Sequence, residues 1–206
     1  MSKYLLNRNI VILIGVTLTG LALVWQGIKS DRQLTNLRQQ VDVQWTQVAV
    51  EYQQRADVIS AFLQTFSGNT HLDKPAATDL VQAHAQAEQA KLDPNKAPLD
   101  AEQLQKFDQA QAALTKALSN LLVLSLSKPD LANAPDFRKG VGQLLMAGNS
   151  LVTARTRFTE SAQYYDHAAQ SFPGVLYASI LGFTYRPYFQ PQPTDNDSVA
   201  STGSSH

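Results

Sequence analysis

Two long stretches of the chain contain no proline, and this constrains the fold more than any other feature. No proline precedes Pro75, and none lies between Pro135 and Pro173. Because proline interrupts helices, only these stretches are free to form long ones. Both carry apolar residues at seven-residue spacing, which is typical of a helix that buries one stripe against its neighbours. The sequence therefore predicts two long, matched helices.

The first long helix is predicted from Asp31 to Ser67, continuous with the segment before it and about 55 Å long. Gly68-Asn69 is expected to end it. An arginine interrupts its otherwise apolar stripe. The stripe consists of two adjacent heptad series: Val41, Val48, Arg55 and Phe62, beside Trp45, Tyr52, Ile59 and Phe66.

The last long helix is predicted from Pro135 to Phe172, where Phe172-Pro173-Gly174 ends it. Its stripe also consists of two adjacent heptad series, a main one and a flanking one, and the flanking series contains one arginine, Arg155. The main series has six members: Phe137, Leu144, Leu151, Phe158, Tyr165 and Phe172.

Two shorter helices are predicted between the long ones. The first covers Pro75 to Lys91. The second begins at the N-cap Asp100, with Gln103 completing a capping box, and ends before Pro129. Its far end, Leu121 to Leu124, is apolar nearly all round and is expected to be deeply buried. Short connections favour antiparallel neighbours, so we predict an all-α, up-down four-helix bundle.

The segment after Pro173 has a different character. Val175 to Leu181 could form one more short helix, and four aromatic residues follow within seven positions: Phe183, Tyr185, Tyr188 and Phe189. This aromatic strap either packs over the bundle or docks onto a partner or the membrane interface. Residues 190–206 are polar and rich in Ser and Pro, so we predict a disordered tail.

The N-terminal segment has the composition of a membrane anchor. Ile10 to Trp25 contains no charge, and residues 10–28 are just long enough to span a bilayer as a helix. A cleaved signal peptide is the alternative, but the chain continues as helix past Trp25. Gly15 and Thr19 could form a seam between two anchors. We expect a single-pass protein of the cytoplasmic membrane, with the bundle on the exported side.

Composition excludes several kinds of chemistry. The 17 basic and 17 acidic residues cancel, and only Lys3 and Arg8 are charged within the first 28, so nucleic acid is not an expected partner. The chain has no cysteine and four scattered histidines, and no motif for binding phosphate or activating a nucleophile. We therefore predict no catalytic residue, metal, cofactor or enzymatic activity.

The two arginines on apolar stripes, Arg55 and Arg155, are the candidate interaction residues within the bundle. Either they reach solvent or pair with an acid, or they bind an anionic ligand such as a lipid or a peptide carboxylate. Glu51 and Asp57 are the acids closest in sequence to Arg55. The chain also has 21 glutamines against four glutamates, and the resulting weakly charged helix faces favour self-association.

Several short motifs spread from about residue 30 to 190 belong together. They are Val41-Asp42-Val43-Gln44-Trp45, Arg55-Ala56-Asp57-Val58-Ile59, Pro129-Asp130-Leu131, Ala154-Arg155, Phe172-Pro173, Gly182-Phe183 and Pro187-Tyr188-Phe189. Through these motifs the chain resembles the LemA family of bacterial membrane-anchored helical proteins. It departs from the family at polar positions, for example at Gln54-Arg55, where two arginines are usual.

The resemblance implies an N-terminal anchor, a long helical bundle and no established enzymatic activity or cofactor. We divide the chain into a basic tail (1–9), an anchor (10–28), the bundle with its strap (29–189) and the polar tail (190–206). The preferred function is a scaffold that contacts membrane lipid through its anchor, other envelope proteins and copies of itself. The alternative is a sensor that binds a small anionic ligand and signals through the first helix.

Overall fold

Helices dominate the computed structural model, which describes residues 2–66, 72–171, 175 and 182–189. Of the side chains before residue 31, only those of Thr17 and Leu18 are described. Within these limits every regular element is a helix and no strand occurs, so the predicted all-α class is confirmed.

The described residues form five helices, of which four were predicted. The additional helix is a single turn between the third helix and the last. A proline stands in its first turn, where a backbone N–H would have no partner within the helix, so its absence costs no hydrogen bond. The helices are α1 (Ser2–Phe66), α2 (Lys74–Gln89), α3 (Ala101–Leu126), α4 (Pro129–Ala132) and α5 (Pro135–Gln170).

Aspartate side chains cap the two middle helices. Asp73 Oδ1 accepts a hydrogen bond from Ala76 N (3.0 Å) at the start of α2. Asp100 Oδ1 accepts from Glu102 N (2.8 Å) and Gln103 N (3.5 Å) at the start of α3, so the predicted N-cap is confirmed. These bonds satisfy N–H groups that have no partner within the helix, and they fix where each helix begins.

Helix α1 continues without interruption from Ser2, as predicted for the first helix and the segment before it. Among the described residues, no helix combines enough length with enough apolar character to cross a membrane. The predicted anchor, residues 10–28, lies outside the described side chains apart from Thr17 and Leu18.

The chain divides into two compact units, each built from three separate segments. Unit 1 comprises Met1–Arg55, Asp93–Leu99 and Ala147–Arg186. Unit 2 comprises Ala56–Leu92, Asp100–Met146 and Pro187–His206.

In unit 1, α1 and α5 pack antiparallel through their predicted heptad positions. The ring centroids of Trp45 and Phe158 are 5.3 Å apart. Further along α1 and further back along α5, Arg155 Nη1 donates to the hydroxyl of Tyr52 (3.0 Å). Since the contact on α5 moves backwards as α1 advances, the two helices run in opposite directions.

In unit 2, all five helices contribute to one apolar core. Three phenylalanines form an aromatic group within it, with the ring centroid of Phe137 5.7 Å from that of Phe62 and 5.5 Å from that of Phe66. Gly140 lets α5 come close to this group, because a Cβ there would lie 2.9 Å from Phe62 Cδ2. Other core residues are Ile59, Leu80, Leu114, Leu121, Leu131 and Leu144.

The prediction that the far end of α3 is deeply buried is wrong for most of its apolar side chains. Leu121 and Ser125 are fully buried, but Val123 is 68% exposed and Leu124 and Leu126 are also exposed. Residues four apart share one helix face, so Leu121 and Ser125 occupy the inward face and their neighbours turn outward.

Several predicted features lie outside the described residues. These are the helix stop at Gly68-Asn69, the Phe172-Pro173-Gly174 boundary, and the tail 190–206. The short helix predicted over Val175–Leu181 also lies there, except for Val175, which is helical.

Candidate functional site

The structure brings the two predicted arginines, Arg55 and Arg155, into electrostatic reach of each other within unit 1. Arg155 is half-buried and donates to the hydroxyl of Tyr52, which is itself buried. Arg55 is only 6% exposed, so its burial argues against one of the alternatives left open for it, a guanidinium that reaches solvent. Glu51 accepts a hydrogen bond from Gln47 Nε2 (2.8 Å).

Burial lowers the pKa of the Arg55 guanidinium from its ordinary value. Tyr52 opposes this change, and the positive charge of Arg155 adds to it. Desolvation and a like charge both disfavour the charged form of a guanidinium. The cluster of Tyr52, Arg55 and Arg155 therefore concentrates positive charge on the apolar faces of α1 and α5.

The four aromatic residues of the strap differ in exposure. Tyr185 is 52% exposed and Phe189 is buried, while Phe183 and Tyr188 are half-buried. The strap residues 183–189 have no regular secondary structure, and Gly182 before them adopts φ = +71°, which favours glycine. Only Tyr185 of the four presents most of its ring to solvent.

The most deeply buried charged residue of the strap is Arg186, which sequence reasoning missed. It is 2% exposed. Its Nη1 donates to the carbonyl of Ala97 (3.1 Å), and its Nη2 lies 3.9 Å from Asp42 Oδ1. Its backbone N–H donates to Asp166 Oδ1 (3.1 Å).

The side chains of Asp42 and Arg186 form hydrogen bonds with the two backbone groups of one residue, Ala97. Asp42 Oδ1 accepts from Ala97 N (3.1 Å), while Arg186 takes the carbonyl of the same residue. Two further side chains act in the same way: Trp45 Nε1 donates to Asp93 O (2.7 Å), and the Tyr165 hydroxyl donates to Thr184 O (3.1 Å).

We call Asp42, Trp45, Tyr165, Asp166 and Arg186 the backbone clamp. Each of these five side chains forms a hydrogen bond with a backbone group in a non-helical segment of unit 1, either residues 93–97 or residues 184–186. Those segments have no regular secondary structure to satisfy their backbone groups, and a buried backbone N–H or C=O group without a hydrogen-bond partner costs free energy. The clamp therefore accounts for buried polar side chains in structural terms.

Burial raises the pKa of Asp166, and the hydrogen bond and charge from Arg186 counteract only part of the rise. Its second oxygen, Oδ2, is buried, as is Arg186 Nε, and neither atom has a hydrogen-bond partner within the described part of the chain. Burial likewise raises the pKa of Tyr165, so its hydroxyl keeps the proton that it donates to Thr184.

The histidines in the described part of the chain do not form a site. His84 Nε2 lies 3.3 Å from Ala56 O and 3.4 Å from Ser60 Oγ, which places it between α2 and α1 in unit 2. His167 is exposed and its Nδ1 lies 3.4 Å from Ser171 Oγ. No group of three or more His, Cys, Asp or Glu that could hold a metal ion occurs among the described residues.

Part of the clamp was visible in the sequence as a broken pattern. Asp166 follows Ala162 by four residues, so it lies on the inward face of α5, where a charge is as unexpected as Arg55 is on α1. For Arg186 the only local signal was its place between Tyr185 and Pro187-Tyr188. Its partner Ala97 is 89 residues away, so the contact could not be read from spacing.

Comparison with known proteins agrees with the motifs. A model of the LemA family matches residues 44–201, which is most of the chain and includes the last long helix and the strap. No curated protein matches significantly. The chain is a member of the LemA family.

Proposed function

We propose that this protein is a non-enzymatic, membrane-anchored helical module that acts by contact with other proteins, including copies of itself. The observation that carries the proposal is the number of large aliphatic side chains left in solvent on the outward helix faces. Outside the proposed anchor, seven of them in the described residues are more than half exposed: Val43, Val50, Val81, Val123, Leu145, Met146 and Val152.

Scattered exposed apolar residues are normal, but four of these seven recur at helical spacing. Val43 and Val50 are seven residues apart on α1, and Leu145 and Val152 are seven apart on α5. Glutamine, which carries no charge, surrounds them on α1. Uncharged faces with exposed aliphatic groups are typical of surfaces that contact other proteins.

The membrane part of the proposal rests on sequence alone. Ile10 to Trp25 is without charge, and the chain would continue from this anchor into a bundle of up-down helices on the exported side. Protease digestion of intact cells and of spheroplasts would test the location. Cleavage of the bundle only after the outer barriers are removed is expected, and protection in spheroplasts would contradict it.

Native mass measurement of the full chain in mild detergent tests the contact function. We expect a discrete species whose mass is a multiple of 22.6 kDa. A monomer at every concentration would contradict self-association.

A sensor of small anions is the second candidate, and one observation favours it. Arg55 and Arg155 place two guanidinium groups within electrostatic reach, and paired arginines suit carboxylate or phosphate. Inorganic phosphate or acetate should then raise the melting temperature of the full chain, and Arg155→Met should remove the rise. If neither anion shifts melting, this candidate is wrong.

A further inference from the structure

Helix α1 carries a second heptad pattern besides the one that packs inside unit 1. Five glutamines recur at steps of seven: Gln26, Gln33, Gln40, Gln47 and Gln54. Asn36, Val43 and Val50 form a second series at the same step. Together the two series alternate steps of four and three, which is the spacing of a helix-pairing seam.

We call Asn36, Gln40, Val43, Gln47, Val50 and Gln54 the outer seam. All six residues are exposed, and none carries a charge. They lie within the α1 segment of unit 1.

The outer seam faces away from the core of its own unit. Trp45 and Val48 are buried on the inward face. At about 100° per residue, Val43 is turned about 200° from Trp45 and about 140° from Val48. One helix therefore carries two heptad seams on opposite sides, and α5 covers the inner one.

We propose that the outer seam pairs with the same seam of a second copy, in parallel and in register. This deepens the proposed function by naming the partner and the surface, and it rests on that function. In a two-fold pair each residue meets its own counterpart, so the surface must complement itself. A glutamine amide does so, because it both donates and accepts hydrogen bonds.

If the seam positions carried charged side chains, a parallel in-register pair would place like charges opposite each other. The outer seam avoids this by using amides and valines throughout, while Val43 and Val50 supply apolar contact. Buried amides lower the stability of a helix pair but specify its register. The pair should accordingly be specific and of modest affinity.

The proposed anchor determines the parallel direction, because both N-termini would enter the same membrane from the same side. In the sequence, the steps of seven continue from Gln26 to Thr19, and from Asn36 through Lys29 and Ala22 to Gly15; Lys29, which lies outside the outer seam, is the one charged position of this continuation. The Gly15 and Thr19 seam predicted for the anchor is thus in the same register. Confinement to one membrane also raises the effective concentration of the second copy.

Cysteine crosslinking of the full chain in its membrane tests the pairing, since the chain has no cysteine of its own. The test variants are Val43→Cys and Val50→Cys. Tyr164→Cys is a matched control, because Tyr164 lies outside the exposed aliphatic set and is 62% exposed, against 64% for Val43. On oxidation, disulfide-linked dimer at Val43 and Val50 should exceed that at residue 164 at least about tenfold, as expected for a contact held at high effective concentration.

Equal crosslinking in Tyr164→Cys, or none at Val43 and Val50, would overturn the outer seam as the interface. Native mass of the double variant Val43→Lys, Val50→Lys separates this outcome from failure of the proposed function. Loss of the assembly with an unchanged helical spectrum supports the inference. If the unmodified chain assembles and the double variant does so equally, the outer seam is wrong but self-association stands; if the unmodified chain is a monomer, both fail.

Discussion

The two units of the molecule use different kinds of interior. All three buried charged side chains of the described residues, Arg55, Asp166 and Arg186, belong to unit 1. In the described part of unit 2 the buried polar residues are neutral, Gln111 and Ser125, within a core of aliphatic and phenylalanine side chains. Unit 1 has non-helical segments to hold in place, and the backbone clamp bonds their peptide groups.

This difference shows what a charge inside a helical protein contributes. Apolar contacts are not directional, so they bury an amphipathic helix without fixing where an irregular segment lies against it. Hydrogen bonds to buried groups are directional and costly to leave unmade. The clamp thus positions residues 93–97 and 184–186, whereas size and shape are enough for the core of unit 2.

The largest effect should come from truncating the core of unit 2. Phe137 is fully buried among the phenylalanines of α1, so Phe137→Ala should lower the free energy of unfolding by about 3–5 kcal/mol. Urea denaturation followed by circular dichroism measures this. The control Leu145→Ala removes an exposed side chain from the same helix and should change stability by less than about 0.5 kcal/mol. Similar losses for both variants would contradict the assigned core.

The next largest loss of stability should come from removing Arg186 of the backbone clamp, which lies in unit 1. Arg186→Met leaves the carbonyl of Ala97 without its donor, which should cost about 1–3 kcal/mol. Hydrogen exchange of the backbone amides of residues 97 and 186 should also speed up, since clamp carboxylates accept hydrogen bonds from both N–H groups. Arg157→Met, on the exposed face of α5, is the matched control and should do neither. Unchanged exchange in Arg186→Met would show that the clamp does not hold these segments.

Much of this comparison could be predicted from the sequence, because heptad spacing reports which face of a helix is buried. Trp45, Phe137 and Phe158 are in the interior for that reason. Asp100 was identified as a cap from its place before an apolar run, and the contacts confirm it. These features depend on residues close together in the sequence.

The bonds of the clamp could not be predicted, since they join residues far apart and end on backbone groups. Trp45 and Asp93 are 48 residues apart, and Asp42 and Ala97 are 55 apart. No sequence pattern marks which carbonyl or N–H will lack a partner. The exposure of Val123 was missed for another reason: a run that is apolar all round has no periodicity to show its inward face.

Replacing either of two glycines on α5 with alanine should have a smaller effect on stability, destabilising at one position and stabilising at the other. Gly140→Ala would place a Cβ 2.9 Å from Phe62, so overpacking of about 1–3 kcal/mol should outweigh the gain in helix propensity. At Gly142 no atom lies within 4 Å of the new Cβ, and Gly142→Ala should stabilise by about 0.5–1 kcal/mol. Thermal melting of both variants measures the difference. Stabilisation by Gly140→Ala would contradict the close approach in unit 2.

The smallest effect is a pH dependence that belongs to unit 1. The pKa of Asp166 is raised above 3.8 in the folded chain, so the folded state binds this proton more readily than the unfolded state. The contribution of Asp166 to stability should therefore grow as pH falls through the raised pKa, and it should be complete below 3.8.

Melting temperatures of the unmodified chain and of Asp166→Asn, measured across acidic pH, isolate this contribution. The asparagine retains an oxygen for the Arg186 amide but cannot titrate. The stability of the unmodified chain relative to Asp166→Asn should rise on acidification. A relative stability that falls on acidification would mean that the pKa of Asp166 is lowered.

We claim that the arginines on the apolar stripes have a structural role, while the exposed, uncharged faces make the contacts. Native mass of three full-length chains, measured side by side in mild detergent, separates these two roles: the unmodified protein, Arg155→Met and Val43→Lys. We predict that Arg155→Met assembles like the unmodified protein and that Val43→Lys shifts towards the 22.6 kDa monomer. Loss of assembly in Arg155→Met with no change in Val43→Lys would contradict the claim.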